Sequence, residues 1–352
     1  MASGQKGIAP SFLPRTAEAR RRGTIWPGSL SASSRLRGWI PVVLVLGVMV
    51  GVTSHAHTQN AESSARRIVS LVPGLTEALF AIGAGAQVVG VSSFDEFPPE
   101  VKALPKVGAL IDPDTERILA LRPDLVVVYG SQSDLQTQLA RAGIATFNYR
   151  HGGIAATLDT IRELGAAAGH QSESDRLAAS LQARLAAVRT AVKDRARPRT
   201  LLVFERQPGT LREVYASGGV GFLHEMLEVA GGRNVFADVP RESVQPSIET
   251  LLTIAPDVIL EVRATGLIEG VRPLESTRSK GSDPRIEAWS MLSSVPAIRN
   301  RRIFFLTGDQ FVVPGPRLAQ ATEALARVLH PDAFIGDRGS GIGDQRRQDL
   351  RR

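Results

Sequence analysis

One segment of this chain occurs twice. Glu116-Arg-Ile-Leu-Ala-Leu-Arg-Pro123-Asp124-Leu-Val-Val-Val is answered by Glu249-Thr-Leu-Leu-Thr-Ile-Ala-Pro256-Asp257-Val-Ile-Leu-Glu, with Glu, Pro and Asp recurring at one offset of 133 (249 − 116). In each copy a short helical pattern stops at proline, and an aspartate leads into an apolar strand. A unit repeated once, more than a hundred residues away, predicts two lobes of the same α/β construction.

The surrounding pattern agrees. Apolar runs at 68–71, 88–91, 125–129 and 145–148 alternate with helical patterns at 76–82, 116–121 and 135–142, with Thr76 as expected cap of the first helix. The second half repeats this with strands at 200–204, 258–262 and 302–306 and helices at 221–230, 248–254 and 317–329. Such alternation predicts parallel sheets clothed by helices. Between the halves, Glu173 to Arg197 has Leu177, Leu181, Leu185, Val188 and Val192 at helical spacing and neither Gly nor Pro. This predicts a single connecting helix of about 37 Å, at 1.5 Å per residue. The fold class is therefore two Rossmann-like α/β lobes, 66–170 and 198–335, joined by one long helix in 171–197.

Charge is confined to an appendage. Net charge is +7, yet residues 1–38 carry seven basic residues against Glu18 alone, so the rest of the chain is close to neutral. Nucleic acid is accordingly not an expected partner. Trp39 to Val52 is an uncharged run of fourteen residues behind Arg35 and Arg37, followed by Ser54 and Ala56 at small-x-small spacing. Residues 1–56 read as a basic lead with an export signal, or an uncleaved anchor, then a linker at 57–65. The Gly-, Asp- and Arg-rich stretch 336–352 reads as a disordered tail. The chain has no Cys, so a disulfide framework, a thiolate metal site and a thioether lipid anchor are not expected.

Catalytic constellations are not visible, and no cofactor, metal site or catalytic residue is expected. Gly83-Ala-Gly85 lacks the third glycine of a dinucleotide loop and follows a helix, which favours a helix stop. Gly218-Gly219-Val-Gly221 reads as a turn in preference to an anion cradle, and His224 as structural. The few aromatics cluster after strand ends: Phe94 and Phe97, Tyr129, Tyr149 beside His151, Tyr215, and Phe311. Open α/β sheets place ligands there, so these residues are expected to line a cleft for a large planar or apolar ligand.

Arg67-Ile-Val-Ser-Leu-Val-Pro-Gly-Leu-Thr-Glu77, Leu79 to Gly83, Val89 to Pro99, Glu116 to Asp124, Gly218 to Asn234 and Glu249 to Asp257 together resemble the periplasmic iron-chelate and vitamin B12 binding proteins of ABC importers. The resemblance covers about residues 66–335. It implies a monomer of the helical-backbone, class III periplasmic architecture that hands its ligand to the membrane subunits of a permease. It implies that Glu116 and Glu249 dock on arginines of those subunits, and that Phe94, Tyr129, Tyr215 and Asp309 occupy cleft positions. Two cleft tryptophans of the vitamin B12 pattern are replaced by Leu110 and Ser243, Val313 stands where a basic residue is usual, and an added loop spans about 265–284. Cobalamin is the first ligand expected, then an iron-siderophore or haem. A nucleotide-acting enzyme of doubly wound fold, or an anchored structural or sensor protein, is the alternative from another class.

Overall fold

The structure, a computed structural model, describes residues 64–264 and 284–337. The export segment, the 265–283 loop and the tail beyond 337 lie outside the described residues. The first lobe is built on β1 (Ile68–Ser70), β2 (Val88–Val91), β3 (Leu125–Tyr129) and β4 (Ala145–Tyr149), in the order β2-β1-β3-β4 and parallel throughout. Its helices are α1 (Pro73–Ala81), α2 (Thr115–Ala120), α3 (Ser133–Arg141) and α4 (Ile154–Ala168). Then comes α5 (Gln171–Val192).

The second lobe has a separate sheet of β5 (Arg199–Glu205), β6 (Tyr215–Ser217), β7 (Arg233–Asn234), β8 (Ser243–Val244), β9 (Val258–Arg263) and β10 (Ile303–Thr307). Its order is β10-β9-β5-β6-β8, with β7 beside β5. Helices α6 (Phe222–Val229), α7 (Ile248–Ile254), α8 (Pro284–Ser290), α9 (Pro296–Arg299) and α10 (Leu318–Leu329) accompany it.

Three expectations are corrected. The second sheet is mixed, because β6 runs antiparallel to β5 and β8 antiparallel to β6. Thr76 lies inside α1, which begins at Pro73, and its hydroxyl donates to Ser70 Oγ at 2.8 Å. A proline at the first helical position starts the helix without a side-chain cap. The connecting helix ends at Val192, not Arg197. Its buried stripe is Ser174, Ala178, Leu181, Leu185, Val188 and Val192, and the next position on that face is Arg195, which cannot continue it. At 22 residues it spans about 33 Å.

The sequence reading also passed over α4. Its Gly165 has no side chain where one would strike Ser174 Oγ at 2.1 Å, so α4 and α5 lie in close contact. Leu158, Ile161 and Leu164 of α4 join Leu181, Leu185 and Val188 of α5 and Leu318, Leu325 and Leu329 of α10 in one apolar core that includes residues of both lobes. Separating the lobes would expose that shared core, which is the physical basis for limited hinge motion.

Candidate functional site

Each expected cleft residue follows from a strand end. After β2, Asp95 Oδ2 accepts from Ser92 N at 2.7 Å and Lys106 Nζ donates to Asp95 O at 2.6 Å. That tight loop leaves Phe94 69% exposed. Asp95 itself is buried, and its Oδ1 has no hydrogen-bond partner among the described residues. Burial raises its carboxyl to about 7; the Thr76 hydroxyl, the Ser92 amide and the Lys106 charge oppose the rise and the Glu77 charge adds to it.

Tyr129 ends β3, half-buried. Burial first and the Asp95 charge second push its phenol up to about 12. Its ring meets Tyr149 edge-on at 5.8 Å, and Tyr149 OH lies 3.0 Å from His151 Nδ1. Burial likewise raises the Tyr149 phenol. His151 stacks edge-on against Phe222 of α6 at 5.7 Å, so this aromatic row crosses from the first lobe to the second. Tyr215, half-buried on β6, tilts against Phe204 at 6.4 Å.

Two expected ligand contacts are corrected by burial. Tyr149 and Phe311 are each only 4% exposed and belong to the core. They back the site and do not form its surface. What the sequence reading missed is an apolar rim beside Tyr129. Gln132 accepts from Tyr129 N at 2.9 Å and donates to Leu110 O at 3.0 Å. That amide ties the loop carrying Leu110 and the 93% exposed Ile111 to the end of β3. Leu110, in place of a tryptophan of the vitamin B12 pattern, therefore sits close to the aromatic row. Ser243 is exposed on β8.

The lobes are clasped across this site. Arg317 donates from Nε to Glu77 Oε2 at 2.9 Å and from Nη2 to Glu77 Oε1 at 2.5 Å, and its guanidinium covers the Phe97 ring at 4.2 Å. The Glu77 carboxyl is raised, by burial before anything else; Arg317 pulls it down and Asp309 pushes it up. Asp309 thus faces the clasp from the second lobe. Nearby, a side chain at Gly74 would lie 2.4 Å from Pro314 O, so the two lobes touch through bare backbone. Glu225 of α6 accepts from Ile154 N at 2.7 Å and caps α4 from across the boundary.

Glu116 and Glu249 lie on α2 and α7, both exposed, on mounts that match bond for bond. Arg67 N donates to Asp124 Oδ1 and Arg199 N to Asp257 Oδ2, each at 3.0 Å. The Arg67 side chain holds Leu121 O and Arg122 O, and that of Arg199 holds Ile254 O and Ala255 O, both pairs at the 133 offset. Arg122 and Ala255, each before the repeated proline, share a φ of +47°. Ser247 caps α7 and its hydroxyl lowers the Glu249 carboxyl. Leu119 and Leu252, three residues after each glutamate, are also exposed.

Gly83 has a φ of +89° after α1, a helix stop as expected. At Gly218 and Gly219 a side chain would lie 2.0 Å from Arg241 O and Ala237 O, so this turn serves backbone packing and not an anion. His224 contacts Asn234 at 3.2 Å, a structural role. A groove of about 710 Å³ between α4, α5 and α6 contains none of the strand-end aromatics. Among the described residues no group of three or more His, Asp and Glu is placed to hold a metal ion, and no helix is long and apolar enough to cross a membrane.

The periplasmic binding protein family matches residues 68–310. An uncharacterized ABC transporter substrate-binding lipoprotein, YvrC, of Bacillus subtilis (strain 168) is 30% identical over 76% of this chain and 81% of its own. The vitamin B12-binding protein of Salmonella typhimurium is 30% identical over 76% of this chain and 91% of its own. Among solved structures, the periplasmic heme-binding protein RhuT from Roseiflexus sp. RS-1 in apo form is 30% identical, with a TM-score of 0.63 over 77% of this chain and all of that one.

Proposed function

Because this chain belongs to the periplasmic binding protein family, as the substrate-binding protein of an ABC importer, we propose that it captures a corrinoid, cobalamin first, between its lobes and delivers it to a membrane permease. The observation that carries the ligand choice is the state of the phenols. Tyr129, raised to about 12, keeps its proton at neutral pH, so it offers a ring face and a hydrogen bond, not a phenolate. A corrinoid brings its cobalt already enclosed and needs only stacking and polar contacts. Ferric iron bound directly by tyrosine would need the deprotonated form that this environment disfavours. The exposed Phe94 and Ile111 supply apolar surface for a large ring system. The 30% identity to a vitamin B12-binding protein supports the same reading.

Haem is the second reading, favoured by equal identity to a haem-binding protein and by the Tyr149–His151 contact, a potential axial donor pair. Binding involves no chemical step in either case. Delivery rests on Glu116 and Glu249, whose carboxylates would meet arginines of the permease as charge-assisted pairs. The N-terminal segment is read as the export signal that brings the body to the periplasm.

Titrating the purified protein with cyanocobalamin and with haemin, followed by visible absorption, tests the ligand. Saturable 1:1 binding of cyanocobalamin, tighter than that of haemin, is expected. Tighter haemin binding with an axial-ligand shift in its spectrum transfers the reading to haem.

A further inference from the structure

The second lobe buries a carboxylate where the first has only apolar side chains. Glu261 lies in the middle of β9, at the position where the duplicated strand carries Val128, and its side chain is fully enclosed. An isolated carboxylate there would cost several kcal/mol. Arg206, equally enclosed at the end of β5, compensates it through Nε to Oε2 at 2.9 Å. The remaining Arg206 donors reach Thr210 O at 2.8 Å and Arg285 O at 3.2 Å, its guanidinium faces the Trp289 ring, and Trp289 Nε1 also donates to Glu261 Oε2. One acid and one base with satisfied donors form a complete, neutral mount.

A second arginine then joins it. Arg263, at the carboxyl end of β9, donates from Nε to Glu261 Oε1 at 2.8 Å, with Nη2 2.7 Å from the same oxygen. Two guanidiniums share one carboxylate, which leaves one positive charge in excess. Arg263 Nη2 is buried and makes no hydrogen bond among the described residues. A guanidinium has five donors in a rigid fork suited to a carboxylate or phosphate. Arg263 uses one of them fully, and its side chain is 16% exposed. It pairs in register with Thr307, beside the turn bearing Asp309, so it stands at the strand ends that face the ligand.

We propose that Arg263, held by the buried Glu261–Arg206 pair, binds an anionic substituent of the ligand, a phosphate or a carboxylate. The location rests on the inter-lobe binding reading given above. On a corrinoid the group is the phosphodiester of the nucleotide loop; on haem it is a propionate.

Wild type, Arg263→Gln and Arg263→Lys are titrated with cyanocobalamin, with dicyanocobinamide (which lacks the phosphodiester) and with haemin, and thermal midpoints are recorded alongside. For cyanocobalamin, Arg263→Gln is expected to weaken binding about 10- to 100-fold, the range of a charge-assisted hydrogen bond, and Arg263→Lys by less. Dicyanocobinamide should bind all three proteins alike. Equal losses for both corrinoids would overturn the proposal, since they would reflect packing and not charge. No loss for any anionic probe would overturn it as well. If wild type binds haemin but neither corrinoid, the corrinoid reading falls while weaker haemin binding by Arg263→Gln still supports Arg263. Wild type binding none of the three overturns both.

Discussion

Asp95 is the residue whose environment makes the sharpest demand. The unfolded chain releases its proton near 3.8, whereas the folded protein retains it up to about 7. Folding therefore takes up a proton in that interval, and stability falls as pH rises through it, by at most ~4 kcal/mol at 1.36 kcal/mol per unit. Asp95→Asn keeps an oxygen acceptor for Ser92 N and removes the titration. Urea midpoints should show the variant more stable than wild type at pH 8 and nearly equal at pH 4; parallel pH profiles would refute the assignment. Neither this nor the clasp was legible in the sequence. Glu77 and Arg317 stand 240 positions apart, and neither belongs to a motif that predicts a pairing. Glu261 did leave a signal, an acid inside the otherwise apolar Val258–Val262, but an isolated charge in a strand does not name its partner. The strand-end aromatics were legible as a group because a residue's place in a βα unit fixes which edge it occupies. Their burial was not, since Tyr149 and Phe311 are covered by elements distant in sequence.

At the level of elements, the repeated unit carried most of what sequence disclosed. Arg67, Asp124 and Pro123 match Arg199, Asp257 and Pro256 because the same short helix must be hung on the same parallel strand pair. Glu116 and Glu249 are thereby presented on equivalent helices, and they belong to delivery, not to capture. Replacing both by Arg should abolish uptake in cells while affinity for cyanocobalamin measured in solution stays within about twofold, since surface charges far from a site are nearly independent of it. Lost affinity would contradict that division. Helix α4 escaped notice because its Ala- and Gly-rich sequence carries a weak apolar signal and its stability comes from contact with α5. The β6 and β8 arm escaped because strands of two or three residues have too little pattern to read. Leu185 tests the shared core: Leu185→Ala should cost about 3 kcal/mol on denaturant unfolding, with probes in both lobes losing structure together. Separate transitions would show that α5 belongs to one lobe alone.

For the molecule as a whole, two sheets, one 33 Å helix and a core common to both lobes describe a body whose cleft is set before the ligand arrives. The clasp of Glu77 and Arg317, the Gly74–Pro314 contact and the Glu225 cap on α4 all oppose wide opening, at three places around the boundary. The absence of cysteine makes the decisive measurement simple, because labels can be attached at Arg141→Cys and Thr253→Cys alone, one on each lobe and both exposed. Double electron–electron resonance between these labels, recorded without ligand and with saturating cyanocobalamin, reads the inter-lobe distance directly. A single narrow distribution that shifts by no more than about 2 Å is the result a preformed cleft predicts. A broad distribution without ligand, or a closure of many ångströms on binding, would contradict it.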